Sequence, residues 1–265
     1  MTYLQGVVLG VVQGLTEFLP VSSSGHLILV PHVFGWPDQG LAFDAVMHLG
    51  TLVALLAYFR AELTAFVAGA LPRRLVLILV VATIPGALAG VVFGRWIEAH
   101  VRSPLAIAVF TAFWAIVMWM ADRRASSTPA PAPAARDPLE TVSWSQGVAV
   151  GVAQALALLP GTSRSGITIT CGLFTGLDRA TAARYAFLLG IPITAGAGSY
   201  KMLHLLRHGL PAGEGGPLVV AVVAAALSGW FAVWFLVNYL KHGSLTPFVI
   251  YRLLLAVAIF SVLLR

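Results

Sequence analysis

The chain has 265 residues, of which 59% are hydrophobic and only 10% are charged, and its mean hydropathy is +0.91. Soluble domains typically contain about 25% charged residues, so this composition excludes an ordinary soluble protein and predicts an all-α polytopic membrane protein. The net charge of +6 comes mostly from arginines between apolar runs, which is typical of loops facing anionic lipid and does not imply nucleic acid as a partner.

A helix that crosses the bilayer needs about 20 apolar residues, because the hydrocarbon core is about 30 Å thick. Six apolar runs reach or nearly reach this length and predict six transmembrane helices. They are Leu41–Phe59, Leu75–Phe93, Pro104–Met120, Tyr185–Met202, Leu218–Leu240 and Phe248–Leu264.

Two further apolar regions are interrupted. Tyr3–Leu19 ends at Pro20 and a serine cluster, and Val148–Leu159 is separated from Ile167–Leu177 by Pro160–Gly166. Broken helices are tolerated at membrane depth only where protein or a water-filled cavity satisfies the freed backbone groups. Both regions are therefore predicted to be re-entrant helical hairpins.

The two halves of the chain resemble each other. When the halves are aligned so that Gln5 matches Gln146, most positions from 5 to 15 are identical; in the first half these are Gln5, Gly6, Val7, Gly10, Val11, Gln13 and Leu15. Pro20 recurs as Pro160. Chance similarity between small-residue helices is the alternative, but the shared Gln and Pro positions argue against it.

The repeat predicts three parts: a first repeat at residues 1–122, a linker at 123–145 and a second repeat at 146–265. Each repeat has one hairpin and three spans, and an odd number of crossings inverts the second copy, an architecture best attested in transporters. The linker is rich in Ala, Pro, Ser and Thr. More Lys and Arg lie on its side of the membrane than on the other, so it is predicted to be cytoplasmic.

The first hairpin carries polar residues at what should be membrane depth. Gln13 and Glu17 are four residues apart and share a helix face, and together they suit a hard cation such as Mg²⁺ or Ca²⁺. The alternative for this pair is a hydrogen bond between helices. His26 follows Ser23 by three residues, which suits a nucleophile and its general base, although a lone histidine is more often a hydrogen-bonded core residue.

Three serines, Ser22, Ser23 and Ser24, follow Pro20 where the helix must stop and restart. For at least two of them the simpler expectation is that the hydroxyl caps the next helix. The helix that starts after the break also directs free N–H groups into it, and such groups favour the binding of a phosphate oxygen.

The second hairpin supplies a positive charge. An unpaired guanidinium at membrane depth is costly, so Arg164 is predicted to face an anion or a hydrated cavity, and its planar fork matches phosphate. Pairing with Glu17 is the structural alternative. The surrounding anion nest is predicted to comprise Gly161, Thr162, Ser163 and Ser165.

Other polar positions are less informative. Asp44 and His48 share a helix face near the start of a span, where a rim role or structural pairing is expected. Arg252, in the last span, is expected to reach towards the membrane surface or contact a lipid head group.

The two motifs, QGLTEFLPVSSSGH from Gln13 and PGTSRSG from Pro160, resemble those of the bacterial undecaprenyl-diphosphate phosphatase family, also called the bacitracin-resistance family. The resemblance covers essentially the whole chain. It implies a multi-pass protein of the bacterial inner membrane that removes the terminal phosphate of undecaprenyl diphosphate, and so recycles the lipid carrier for peptidoglycan synthesis. It also implies dependence on a divalent cation and a site that opens outward.

By motif, Gln13 and Glu17 match the family's (Glu/Gln)-x-x-x-Glu pattern, Ser23 and His26 its proposed nucleophile and partner, and Arg164 the arginine of its second motif. Gln13 offers one fewer negative ligand than Glu would. Arg184 stands where many members have an acid, which puts local pairing there in doubt.

The expected reaction is attack by Ser23 with His26 taking the proton, while Glu17 and Gln13 hold the cation, Arg164 stabilises the phosphoryl group, and Ser22 and Ser24 bind substrate. His26 activating water, or attacking phosphorus itself, is an equally simple route.

The rival function is a transporter or flippase for a phosphorylated lipid or other anion. The expected partners are an isoprenoid diphosphate lipid and the bilayer, and the oligomeric state stays open, a homodimer included.

Overall fold

The computed structural model describes residues 1–37, 41–101, 103–126, 137–208 and 213–263. Within these ranges the chain forms eleven α-helices, two short 3₁₀ turns (Pro138–Thr141 and Leu156–Leu158) and no strand, which confirms the all-α prediction. The helices are α1 (Tyr3–Phe18), α2 (Ser23–Phe34), α3 (Leu41–Tyr58), α4 (Arg60–Val67), α5 (Arg73–His100), α6 (Pro104–Ser126), α7 (Trp144–Ala155), α8 (Arg164–Phe174), α9 (Arg179–His208), α10 (Gly215–Tyr239) and α11 (Thr246–Leu263).

Several helices can cross a bilayer. Among the described residues, α5, α6 and α10 are long and apolar enough, and α3 with α4 adds a fourth candidate if this pair, bent by 73°, counts as one span. The other two predicted spans lie on α9 and on α11, which is apolar over a shorter stretch. Large apolar side chains such as Val91, Leu227 and Val257 are exposed on these helices, which suits contact with lipid. The fold is thus that of a polytopic membrane protein.

Both interrupted regions form two helices joined by a break. In the first, α1 ends at Phe18 and α2 begins at Ser23; in the second, α7 and its 3₁₀ turn are followed by α8 from Arg164. Each helix pair packs together. Among the described residues, Ser22 (φ 76°) and Ser163 (φ 69°) are the non-glycine residues with positive φ. Such a conformation costs about 1–3 kcal/mol, so the contacts around both breaks must hold these serines in place.

Glycines allow equivalent helix contacts in the two halves. Helix α1 packs on α10, and α7 packs on α5. A Cβ on Gly10 would lie 2.3 Å from the carbonyl oxygen of Ala221, and a Cβ on Gly151 would lie 2.2 Å from that of Ala82. Gly10 and Gly151 are equivalent positions of the repeat, so the identities between the halves coincide with close backbone contacts that larger residues cannot make.

Arg252 of α11 ties both breaks together. Its side chain is fully buried, so the expectation that it reaches the membrane surface is wrong. The guanidinium donates to the carbonyls of Pro20 (3.4 Å) in the first break and of Gly161 (2.9 Å) and Thr162 (3.0 Å) in the second, and to Thr111 of α6 (3.2 Å). The carbonyls freed where the helices break are thus satisfied by one cation.

Arg184 is also paired, although the family pattern put pairing there in doubt. It bonds to Asp137 at 2.8 Å and to Glu62 at 3.0 Å, and so joins α9 to α4 and to the end of the predicted linker. Within that linker, residues 127–136 lie outside the described ranges.

Gly10→Ala should destabilise the protein, because its methyl group would overlap the backbone of α10; overpacking of this kind typically costs about 1–3 kcal/mol. The matched control is Gly94→Ala on α5, where a Cβ meets nothing within 4 Å. The thermal unfolding midpoint in detergent measures both variants. Equal midpoints for Gly10→Ala and wild type would show that the contact between α1 and α10 tolerates a larger residue.

Arg252→Met should lower the thermal midpoint strongly, because it leaves buried carbonyls without a donor, each worth about 1–3 kcal/mol. Arg252→Lys keeps the positive charge but lacks the several N–H donors of the planar guanidinium, so it should recover only part of the lost thermal midpoint. Arg95→Met, at an exposed position on α5, is the control and should be neutral. An unchanged midpoint for Arg252→Met would contradict the structural role of this guanidinium.

Candidate active site

The two helix breaks meet at a cavity of about 390 Å³ that is also lined by α3, α5 and α9. Seven of the predicted site residues lie on its wall: Glu17, Ser22, Ser23, Ser24, Gly161, Ser163 and Arg164. Four others, Gln13, His26, Thr162 and Ser165, are not among its lining residues. The cavity therefore brings together the acid, the hydroxyls and the guanidinium, which come from opposite halves of the chain.

A buried ion pair connects the two hairpins. Nη2 of Arg164 lies 2.6 Å from Oε1 of Glu17, and the Glu17 side chain is only 7% exposed. Nη1 of Arg164 donates to the carbonyl of Gly190 at 3.0 Å and to the hydroxyl of Thr194. Helix α9 thereby holds one nitrogen of the guanidinium while the carboxylate binds the other.

The second carboxylate oxygen of Glu17 is surrounded by donors. Oε2 accepts from Nε2 of Gln13 and from Oγ of Ser23, each at 3.1 Å, and lies 3.4 Å from Nε2 of His48. So many donors favour the ionised carboxylate. His48 therefore lies in the site, and the pairing expected of it from sequence is made with Glu17. The side chain of Asp44, expected to share its face, lies outside the described residues.

Ser23 and His26 do not bond to each other. Nδ1 of His26 lies 2.8 Å from the carbonyl oxygen of Ser22, and Nε2 lies 2.6 Å from the hydroxyl of Tyr251, whose ring stacks on the imidazole. Because a carbonyl only accepts, Nδ1 carries a hydrogen, and Nε2 of the neutral ring accepts from Tyr251. Ser23 instead donates to Glu17, so the carboxylate is the base within its reach.

The serines connect the breaks more than they cap α2. Ser22 stands at the N-cap position of α2 without a side-chain cap, and its hydroxyl bonds to that of Ser24 at 3.1 Å. Oγ of Ser24 in turn accepts from the N–H of Gly161 at 3.2 Å. The expectation that at least two of these serines cap the helix is therefore wrong, and the N–H of Gly161 is occupied by the other break.

The predicted anion nest is only partly open to the cavity. Ser163 caps α8 by accepting from the N–H of Gly166 at 3.1 Å, and Ser165 donates to the carbonyl of Leu19 at 3.2 Å. Thr162 is buried, and its hydroxyl has no hydrogen-bond partner among the residues that the structure describes. Of the four predicted residues, Gly161 and Ser163 lie on the wall, while Thr162 and Ser165 support it from behind.

The donor set for a cation is small. Among the described residues, no group of three or more His, Cys, Asp or Glu side chains could hold a metal ion. Glu17 supplies one carboxylate, and Oε1 of Gln13 is a buried oxygen without a hydrogen-bond donor. Mg²⁺ commonly binds through one or two carboxylates together with substrate phosphates and water. Of these two residues only Glu17 lines the cavity, with Gln13 one helical turn before it, so a cation there would take most of its ligands from a bound diphosphate and water.

Comparison with known proteins supports one family. Residues 6–258 match the family described as Bacitracin resistance protein BacA. The chain is 46% identical to the undecaprenyl-diphosphatase of Moorella thermoacetica, with 99% of this chain and 98% of that protein aligned. It is 42% identical to the undecaprenyl-diphosphatase of Pelobacter propionicus over 100% of this chain and 98% of that one, and 45% identical to undecaprenyl-diphosphatase 2 of Stutzerimonas stutzeri over 96% of each. The chain therefore belongs to the bacitracin resistance protein BacA family.

Proposed function

We propose that this protein is an integral membrane phosphatase that hydrolyses undecaprenyl diphosphate to undecaprenyl phosphate and inorganic phosphate. The relatives named above carry this activity in their names. The observation that carries the proposal is the contact of Glu17 with both Ser23 and Arg164 on one cavity wall. A nucleophile, a base and a phosphate-binding cation are the groups that phosphoryl transfer requires.

The proposed architecture is an inverted repeat of six transmembrane helices and two re-entrant hairpins, with repeats at 1–122 and 146–265. Its support is the equivalence of the contacts made by Gly10 and Gly151, and of the positive φ angles at Ser22 and Ser163. The linker would lie in the cytoplasm, and the protein would reside in the bacterial inner membrane.

Substrate binding would begin with an exchange of partners at Arg164. The diphosphate carries more negative charge than the Glu17 carboxylate, so Arg164 turns its fork to the terminal phosphoryl group. Gly190 and Thr194 keep Nη1 in place during this exchange. Oε1 of Glu17 is then released from Arg164, while Oε2 still accepts from the Ser23 hydroxyl.

Ser23 would attack the terminal phosphorus in line. Its Oγ–P bond forms as the bond from phosphorus to the bridging oxygen of undecaprenyl phosphate breaks, and Glu17 accepts the hydroxyl proton. The departing undecaprenyl phosphate takes that proton from Glu17. Water then attacks the phosphoserine and gives one proton to Glu17, which returns it to the Ser23 oxygen as inorganic phosphate leaves. Arg164 stabilises the charge on the equatorial oxygens in both steps. Proton transfer to His26 would require its Nε2 to leave Tyr251.

A divalent cation, Mg²⁺ or Ca²⁺, would be held by Glu17 and by Oε1 of Gln13 together with phosphate oxygens. When bound, it would neutralise part of the diphosphate charge.

The rival function, a transporter or flippase, draws support from the repeat and the broken helices. Family membership and the carboxylate–serine contact favour hydrolysis.

Detergent-purified protein should release phosphate from undecaprenyl diphosphate, and EDTA should abolish the release. Glu17→Ala and Arg164→Ala should each lower kcat/KM by about 100-fold or more, because each removes a charge that the transition state needs. The exposed Arg95→Ala variant is the control and should match wild type. Lipid movement without phosphate release from folded wild type would favour the transporter instead.

Ser23→Ala should lower turnover by about 1,000-fold or more, because no covalent intermediate can form. Rapid quenching of wild type with substrate labelled in the terminal phosphate should give a labelled protein, and mass spectrometry should place the phosphate on Ser23. Near-normal turnover by Ser23→Ala would rule out the serine route and leave direct attack by activated water.

A further inference from the structure

A buried amide on the cavity wall has no partner. Gln154 of α7 is 3% exposed, and neither its Oε1 nor its Nε2 makes a hydrogen bond to any described residue. Gln154 nevertheless lines the cavity that holds Glu17 and Arg164. An amide removed from water without a compensating hydrogen bond costs free energy, so this side chain is poised for a ligand that the cavity receives.

Its counterpart in the first half is already in use. Gln13 is the equivalent residue of the first repeat, and its Nε2 donates to Glu17 one helical turn along α1. One turn after Gln154 the chain has Leu158 instead of an acid. The second hairpin therefore presents to the cavity an amide donor with no carboxylate of its own to satisfy.

Gly86 of α5 lies next to the amide. A Cβ on Gly86 of α5 would lie 3.4 Å from Nε2 of Gln154, and the methyl Cδ1 of Ile193 is the other near neighbour of that position. Both Gly86 and Ile193 line the same cavity. No described residue satisfies the amide, so the contents of the cavity that Gln154 lines are the remaining source of a hydrogen bond.

We infer that Gln154 is a substrate-binding residue whose Nε2 donates to an oxygen of the diphosphate group. This inference rests on the proposed phosphatase function. A neutral amide adds a donor without adding charge, so it holds the diphosphate alongside Arg164 and leaves Glu17 free of a further competing cation. A bond made to the ground state and the transition state alike changes KM more than kcat.

The test compares two variants that each remove an unpartnered buried polar group. Gln154→Leu removes the amide from the cavity wall, and Tyr185→Phe removes a hydroxyl that is buried and unpartnered but does not line the cavity. Without ligand, both variants should unfold at or above the wild-type midpoint, because both remove an unsatisfied group. This measurement also shows that both variants fold.

Gln154→Leu should raise the KM for undecaprenyl diphosphate about 10-fold or more with a smaller change in kcat, since a hydrogen bond to a charged group is lost. Direct titration with inorganic diphosphate should show a similar loss of affinity. Tyr185→Phe should stay within about twofold of wild type, as expected for a site remote from the ligand. Gln154→Glu should bind more weakly still, because its carboxylate repels the diphosphate.

Affinity for inorganic diphosphate that is unchanged in Gln154→Leu would overturn the inference, whether or not the wild type is active. Active wild type with an unchanged KM in the variant overturns the inference and leaves the proposed function intact. Wild type that binds inorganic diphosphate through Gln154 but releases no phosphate supports the inference and contradicts the hydrolase. If Gln154→Leu fails to fold, Gln154→Asn, which withdraws the donor by one methylene, is judged by the same two measurements.

Discussion

The buried ion pair between Glu17 and Arg164 is the interaction on which the architecture depends. Each charge alone would be very costly in a low-dielectric interior, and each lies in a hairpin that is interrupted just there. The pair forms only when the two hairpins meet, so folding of the halves and assembly of the site are the same event. Gly190 and Thr194 of α9 fix the guanidinium from behind, which restricts its motion to an exchange of the anion in front.

The Glu17–Arg164 ion pair is a contact that a bound substrate could replace. In the proposed mechanism, the Glu17 carboxylate occupies the place at Arg164 that a phosphoryl group would take, and an anion that replaced it would release it to accept the Ser23 proton. Ser23 already donates to the same carboxylate. Binding and activation are thereby coupled: a ligand without sufficient negative charge would not separate the pair, and the base would stay neutralised by Arg164. Gln13, which donates to Glu17 from one turn earlier, keeps the carboxylate oriented through the exchange.

The fold was largely predictable because apolar length and interruption are local properties of the sequence. All six predicted spans fall on helices, and both breaks occur at the predicted Pro and Ser clusters. The contact between Glu17 and Arg164 was foreseen as an alternative, since two opposite charges in apolar surroundings have few other partners. Contacts that join distant positions were not predictable. Tyr251 contacts His26, which is 225 residues away in the sequence. Arg252 binds backbone carbonyls, and no pattern of side chains in the sequence shows which carbonyls need a donor. The proximity of Ser23 and His26 in sequence was misleading, because the imidazole turns towards α11.

Equivalent backbone positions in the two halves carry different chemistry, and this asymmetry makes the cavity a reaction site. Ser23 and Arg164 are equivalent in the repeat and each is the first residue of a helix, so a hydroxyl and a guanidinium stand at matching helix N-termini. Both termini direct positive partial charge towards an anion between them. The acid at Glu17 has Leu158 as its equivalent, so one side of the cavity holds the base and nucleophile while the other holds cationic and neutral donors. In the proposed reaction, an anion bound between these two helix starts would be attacked from the side of Ser23 and stabilised from the side of Arg164. Two identical halves could not provide this division of roles.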